Sequence, residues 1–87
     1  MIKAEEAKKL ADNKNSQLRD IAIPEAMALI EPIIIKNAEV GNYRCVWYPT
    51  GDYGKWIRDI ASALLSYGYN SSVDYDEDRG YYLNIWW

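Results

Sequence analysis

The chain has 87 residues, a length that fits one small domain with a modest hydrophobic core. Hydrophobic residues make up 49% and charged residues 26%, a composition that excludes an intrinsically disordered chain. The net charge of −3 argues against an open nucleic-acid-binding surface, which needs clustered Lys and Arg side chains.

The first 40 residues are predicted to be helical. Residues 3–23 are rich in Ala, Glu, Lys and Leu, and their apolar side chains recur every three or four positions, as on one face of a helix. The polar stretch 12–16 is a place where this helix could break. Pro24 fits the first turn of a second helix. Pro32 is expected to kink or divide that helix, because proline lacks an N–H and clashes with the preceding turn.

The period of the pattern changes in the second half of the chain. Residues 43–48 alternate between apolar and polar and predict a strand. An amphipathic helix is predicted over 53–67, with Gly68 as its C-terminal stop. Two further strands are predicted over 69–75 and 81–87, joined by the turn sequence DEDRG.

These elements predict a single α+β domain over 1–87, with a helical region over 1–40 and a β-α-β-β region over 41–87. The element order is α-α-β-α-β-β, and the sheet is mainly antiparallel with strand order 1-3-2, because the third strand is the most apolar. The helix over 53–67 covers one face of the sheet. The N-terminal helices either cover the rest of the domain or contact another copy. Their apolar surface exceeds what the sheet and one helix can bury, so a homo-oligomer is predicted.

The residue types that are missing limit the chemistry. There is no histidine, which removes His-based acid–base catalysis and His metal ligands. The single Cys45 allows no internal disulfide and lies in a predicted strand, where a buried, inert thiol is expected. We therefore predict no enzymatic activity, no metal site and no cofactor. No signal peptide or membrane span is recognised, which predicts a cytoplasmic protein.

One stretch, YPTGDYGKWIRDI over 48–60, resembles a phosphate-binding loop at first sight. It lacks the four residues between glycines and the hydroxyl after the lysine that a P-loop needs. A helix N-terminus with Lys55 and Arg58 in its first turn is still a candidate anion site. Asp52 and Asp59 compete for the same positive charges.

The aromatic residues are four Trp and eight Tyr with no Phe, a choice that suits half-exposed surfaces and interfaces. Aromatic rings stack on bases, and neighbouring cations can bind phosphates. We expect five of these rings to converge: Trp47, Tyr48, Trp56, Trp86 and Trp87. With nearby cations they define the candidate ligand-binding residues Arg44, Trp47, Tyr48, Lys55, Trp56, Arg58 and Trp86.

The last two residues of the chain are both tryptophans. In a strand they point in opposite directions, so one should face the core and the other should lie outside. The outer ring would be an oligomer contact or part of a binding surface.

An acidic cluster occupies the predicted hairpin turn. Its spacing does not match a calcium-binding EF-hand loop, so a solvated turn that discourages edge pairing is the simpler interpretation. As an alternative, these carboxylates could mimic nucleic-acid phosphates and bind a host protein. The candidate partner-binding residues are Asp74, Asp76, Glu77 and Asp78.

Four segments of the chain resemble small accessory proteins of tailed bacteriophages, a group that generally has no assigned function. In chain order these segments are KAEEAKKLAD, GNYRCVW, YGYNSSVDY and LNIWW. Pro24 and Pro32 depart from the usual pattern of that group. The resemblance implies a protein of the host cytoplasm that antagonises antiviral defence by stoichiometric binding, as an oligomeric trap holding a nucleotide-derived signal between protomers. Two alternatives stay open: an inhibitor of a host nucleic-acid-binding defence protein that uses the acidic hairpin, and a virion-associated structural or assembly protein.

Overall fold

A computed structural model describes residues 1–87, the whole of the chain. The chain forms two α-helices, a short 3₁₀ helix and three strands, which confirms the predicted α+β class. In chain order the elements are α1 (Ala4–Glu39), β1 (Arg44–Trp47), the 3₁₀ helix (Gly51–Trp56), α2 (Ile57–Ser66), β2 (Asn70–Asp76) and β3 (Gly80–Trp86).

The three strands form one antiparallel sheet in which β3 lies between β1 and β2. β2 and β3 pair along their whole length, from Asn70 opposite Trp86 to Asp76 opposite Gly80, and form the expected hairpin. On its other edge β3 pairs with β1, where Arg44 also lies opposite Trp86. The predicted strand order 1-3-2 is confirmed, because the most apolar strand takes the position with a neighbour on each side.

One face of the sheet packs against both helices. This inner face carries Cys45 and Trp47 of β1 and Leu83 and Ile85 of β3, all of them buried. The helices contribute the other buried residues of the same cluster: Ala26, Ile30, Ile34, Ile57, Ile60 and Leu64. The domain therefore has two layers, with helices on one side of the sheet and the opposite face of the sheet left open.

The N-terminal region corrects the prediction of two helices. α1 runs without a break from Ala4 to Glu39 and includes both Pro24 and Pro32. Each proline removes one backbone hydrogen bond to the carbonyl four residues earlier. Both prolines and the residues four positions before them are exposed, so water can satisfy the freed carbonyls. Proline is therefore tolerated here, because the affected side of the helix faces solvent.

Only the C-terminal part of α1 packs on the rest of the domain. Residues 1–14 are exposed on every side, and the buried residues of α1 begin at Ala26. The helix has 36 residues, so it is about 54 Å long. This length accounts for the 59 Å long axis of the molecule. The first turns of α1, up to residue 14, project away from the body of the domain.

Glycine ends the second helix as predicted. Gly68 has a φ angle of +91°, a conformation that favours glycine because it has no Cβ. In this turn the Gly68 N–H donates to the Leu65 carbonyl at 2.9 Å, and the Tyr69 N–H donates to the Leu64 carbonyl at 3.1 Å. These two bonds satisfy the last carbonyls of α2 and direct the chain into β2. Gly41, with a φ angle of +85°, follows α1 in the same conformation.

Candidate functional site

The open side of the sheet is the strongest candidate for a functional surface. Alternation along the strands sends every second side chain to this side, which we call the outer face. No helix covers the outer face. Its residues are Arg44, Val46 and Tyr48 from β1 and the residue that follows it, Tyr82, Asn84 and Trp86 from β3, and Asn70, Ser72, Asp74 and Asp76 from β2.

One end of the outer face is filled by its own aromatic side chains. The rings of Tyr48 and Tyr82 stack with centroids 4.9 Å apart. The guanidinium carbon of Arg79 lies 3.7 Å from the centroid of the Tyr48 ring, a cation–π contact. The Tyr48 hydroxyl donates to Asp76 Oδ2 at 3.3 Å. Burial, and then the negative charge of Asp76, raise the pKa of Tyr48 above its usual value.

The centre of the outer face is organised around one carboxylate. Asp74 Oδ2 accepts a hydrogen bond from Ser72 Oγ at 2.9 Å and another from Asn84 Nδ2. Both donors are thereby fixed in position. The Asn84 side-chain carbonyl makes no hydrogen bond within the protein and can accept one from a ligand.

At the other end of the outer face, a shallow cavity of about 280 Å³ lies beside an exposed tryptophan. Its lining includes Arg44, Ser72, Asn84 and Trp86. The Trp86 side chain is 42% exposed. Arg44 takes part in no salt bridge, since the single one in the structure joins Arg19 and Asp20. A free guanidinium group and an accessible indole ring therefore lie on neighbouring strands at directly paired positions.

The predicted ligand-binding residues do not all meet. Arg44, Tyr48 and Trp86 lie on the outer face, whereas Trp47 points into the core and is 5% exposed. Trp56 packs against the core on the helical side. The expected convergence of five aromatic rings was wrong, because alternation along the strands places Trp47 on the opposite side of the sheet from Tyr48.

The cations near the start of the second helix belong to the helical layer. Lys55 Nζ donates to Asn15 Oδ1 of α1 at 3.3 Å and lies 5.1 Å from the Trp56 ring centroid. Arg58 is exposed on α2, away from the outer face. The 3₁₀ helix that precedes α2 also removes a free backbone N–H group from the candidate anion site. The Ile57 N–H at the α2 start already donates to the Gly54 carbonyl, so it is not free to bind an anion.

The two terminal tryptophans separate as the alternation predicts. Trp86 lies on the outer face, and Trp87 is half-buried against the core. The Trp87 ring meets Tyr69 edge-on, with centroids 6.1 Å apart. The backbone N–H of Trp87 donates to the Tyr43 carbonyl at 3.0 Å. The prediction that one ring faces the core and the other lies outside is confirmed.

The acidic hairpin is partly used within the protein. Asp74 is held by Ser72 and Asn84, and Asp76 accepts hydrogen bonds from Tyr48 and from the Asp78 backbone N–H. Glu77 and Asp78 are exposed at the turn. A solvated turn was expected for this cluster, whereas Asp74 and Asp76 are hydrogen-bonded and organise the outer face.

Sequence reasoning missed Ser72, Tyr82 and Asn84. In β2 and β3, the residues on the outer face recur at every second position and are polar or aromatic, and these three residues follow that pattern. The two-residue period is therefore the sequence signal that could have identified them. That period becomes informative only when the strand register is known, because the register decides which residues of the two strands lie side by side.

Neither helix contains an apolar stretch that could cross a lipid bilayer. The structure also brings together no group of three or more carboxylate or cysteine side chains suited to a metal ion. Comparison with protein-family models, curated proteins and solved structures found no match to this chain. The resemblance to bacteriophage accessory proteins therefore stays a prediction.

Proposed function

We propose that this protein is a non-enzymatic binding protein that holds a nucleotide-type small molecule on the outer face of its sheet. One observation carries the proposal. The exposed Trp86 ring and the Arg44 guanidinium, which forms no ion pair, occupy paired positions beside an open cavity. A planar base and a phosphate are the two groups that such a pair recognises.

Each side chain around the cavity has a distinct role in this proposal. The indole ring of Trp86 stacks on the base, an interaction worth about 1–3 kcal/mol by alanine substitution. Arg44 binds a phosphate through two parallel N–H donors. The free side-chain carbonyl of Asn84 accepts a hydrogen bond from the base edge, and Asp74 holds that amide in place. The site lies within one chain, unlike the pocket between protomers that the resemblance implies.

Binding without turnover is supported by how the nearby carboxylates are used. Asp74 accepts hydrogen bonds from two side chains, and Asp76 accepts them from a tyrosine hydroxyl and a backbone N–H. Both groups serve to order the surface. On the resemblance to bacteriophage accessory proteins, we further propose that the bound molecule is a nucleotide-derived signal of host antiviral defence, removed by sequestration in the host cytoplasm.

Calorimetric titration of the full chain with ADP-ribose, a cyclic dinucleotide and AMP tests the proposal. We expect at least one of them to bind and to be recovered chemically unchanged. Trp86→Ala should raise Kd by about 5- to 150-fold, the equivalent of losing one stacked ring. Arg44→Ala should weaken binding of phosphorylated ligands and leave the free nucleoside less affected.

Two matched controls use the helical layer. Arg58→Ala removes an exposed arginine, and Tyr67→Ala removes an exposed aromatic ring, and neither lies on the outer face. Both should bind as the unchanged protein does. The proposal is wrong if none of the three ligands binds, if Trp86→Ala and Arg44→Ala bind normally, or if the ligand is converted during incubation.

A further inference from the structure

α1 carries a second apolar stripe, which lies outside the hydrophobic core. Its residues are spaced alternately three and four positions apart, as the a and d positions of a heptad repeat are. Most of these a and d positions hold an apolar or small side chain. We call this stripe the α1 seam. It consists of Ala4, Ala7, Ala11, Lys14, Leu18, Ile21, Glu25, Ala28, Pro32 and Ile35, and every one of these residues is exposed.

The α1 seam is separate from the side of α1 that packs on the domain. The buried residues Ala26, Ile30 and Ile34 lie on the other side of the helix, as the 100° rotation per residue requires. The seam begins in the first turns of α1, where residues 1–14 are all exposed. Ile21 is 59% exposed and Ile35 is 48% exposed. Such branched apolar side chains gain free energy when a partner removes them from water.

A groove opens beside the middle of the seam. It has a volume of about 500 Å³, and Leu18, Ile21 and Glu25 of α1 form one of its walls. The 3₁₀ helix (Gly51–Trp56) forms the opposite wall. Glu25 is held there because its Oε2 accepts a hydrogen bond from the Tyr53 hydroxyl at 2.8 Å.

The two charged residues of the seam indicate what covers it. Lys14 precedes Leu18 by four residues, and Glu25 follows Ile21 by four residues. The pair is therefore symmetric about the midpoint between Leu18 and Ile21. In an antiparallel pair of α1 helices centred on this midpoint, Leu18 lies opposite the partner subunit's Ile21 and Lys14 lies opposite the partner subunit's Glu25. A twofold axis then produces two such ion pairs.

The same register leaves no charge opposite an apolar residue. Ala11 lies opposite the partner subunit's Ala28, and Ala4 lies opposite the partner subunit's Ile35. A parallel pair in register would instead bring the two Lys14 side chains together and the two Glu25 side chains together, and like charges at an interface oppose association. Charge complementarity therefore selects a second copy of this chain, in antiparallel orientation.

We propose that the protein forms a twofold symmetric dimer through the α1 seam. The projecting N-terminal turns of each α1 lie along the C-terminal half of the partner's α1, which supplies the contacts that residues 1–14 lack within one chain. The proposal is independent of the ligand site, because the seam belongs to the helical layer and both outer faces stay open in the dimer.

Charge reversal tests the proposed register. Sedimentation velocity of the full chain between 1 and 100 µM should show a concentration-dependent dimer. Lys14→Glu and Glu25→Lys should each weaken dimerisation by about tenfold or more, since every substitution acts twice in the symmetric interface. The double variant K14E/E25K should restore it. Lys9→Glu, an equal change of charge on the opposite side of α1, is the matched control and should dimerise normally.

Disulfide trapping gives a second, orientation-specific measurement. A mixture of Ala11→Cys chains and Ala28→Cys chains should form a mixed disulfide under mild oxidation, whereas Ala11→Cys alone should not cross-link to itself. Cys45 is buried and does not interfere. A monomer at 100 µM, a failure of K14E/E25K to recover dimerisation, or efficient self-cross-linking of Ala11→Cys would each overturn the proposal.

Discussion

Replacing Pro32 by alanine tests whether α1 is one continuous helix. Pro32 lies inside the helix, it is exposed, and its missing N–H leaves the Ala28 carbonyl without its helical partner. Alanine at this position restores that hydrogen bond and removes the steric clash of the proline ring with the preceding turn. Because Pro32 is exposed, little packing within the chain is lost.

The size of the effect follows from three numbers. Proline in a helix interior is about 3 kcal/mol less favourable than alanine. Proline also restricts the unfolded chain, and losing that restriction lowers stability by about 0.4–1 kcal/mol. The free energy of unfolding should therefore rise by about 2 kcal/mol. For a domain of this size each kcal/mol shifts Tm by about 4–8 °C, so Tm should rise by about 10 °C.

Thermal unfolding followed by circular dichroism at 222 nm measures this change. Measuring at several protein concentrations separates any contribution of dimerisation, since Pro32 also belongs to the α1 seam. Pro49→Ala is the control, because Pro49 lies between β1 and the 3₁₀ helix and its replacement should lower Tm slightly. An unchanged or lower Tm for Pro32→Ala would mean that the helix is interrupted at this residue.

Two further predictions concern titratable groups. Burial raises the pKa of the Cys45 thiol. At pH 8 a thiol reagent should therefore modify Cys45 in the native protein only as fast as the domain unfolds. Rapid modification would contradict the buried position of Cys45. The raised pKa of Tyr48, caused by burial and by Asp76, means that the folded state holds this proton more tightly than the unfolded state. The contribution of Tyr48 to stability should be fully present and independent of pH below about pH 10, and it should be lost as pH rises through the folded pKa. Tyr48→Phe should reduce that alkaline loss in urea unfolding measured from pH 9 to 11.5, and an unchanged slope would show that Tyr48 does not cause it.

Much of the sheet could be predicted because its signals are local. The alternation of apolar and polar residues identified β1, Cys45 was correctly expected to be buried, and the turn sequence DEDRG identified the hairpin. Gly68 marked the end of α2 because few other residues adopt its positive φ angle. The central position of β3 followed from its apolar character.

The candidate site was predicted only in part. Arg44, Tyr48 and Trp86 were named from residue type, and they do share one surface. Trp47 and Trp56 were placed with them because they are close along the chain, yet the sheet separates them. Stacking and hydrogen-bonding partners in different strands, such as Tyr82 with Tyr48, depend on register. Register is a property of the pairing between segments, so no single segment reveals it.

Composition and local pattern were sufficient to establish the class of the domain, its strands and the C-terminal end of its second helix, because these depend on backbone preferences and on the spacing of apolar side chains. The start of that helix was predicted at residue 53, whereas a 3₁₀ helix occupies Gly51–Trp56 and α2 begins at Ile57. The continuity of α1 and the grouping of side chains on the outer face were decided by tertiary structure. A helix continues through proline where the freed carbonyls face water, and a surface site forms where the strand register brings distant residues together. Both conditions depend on how the helices and strands pack, because packing decides which side of each element is buried and which side faces solvent.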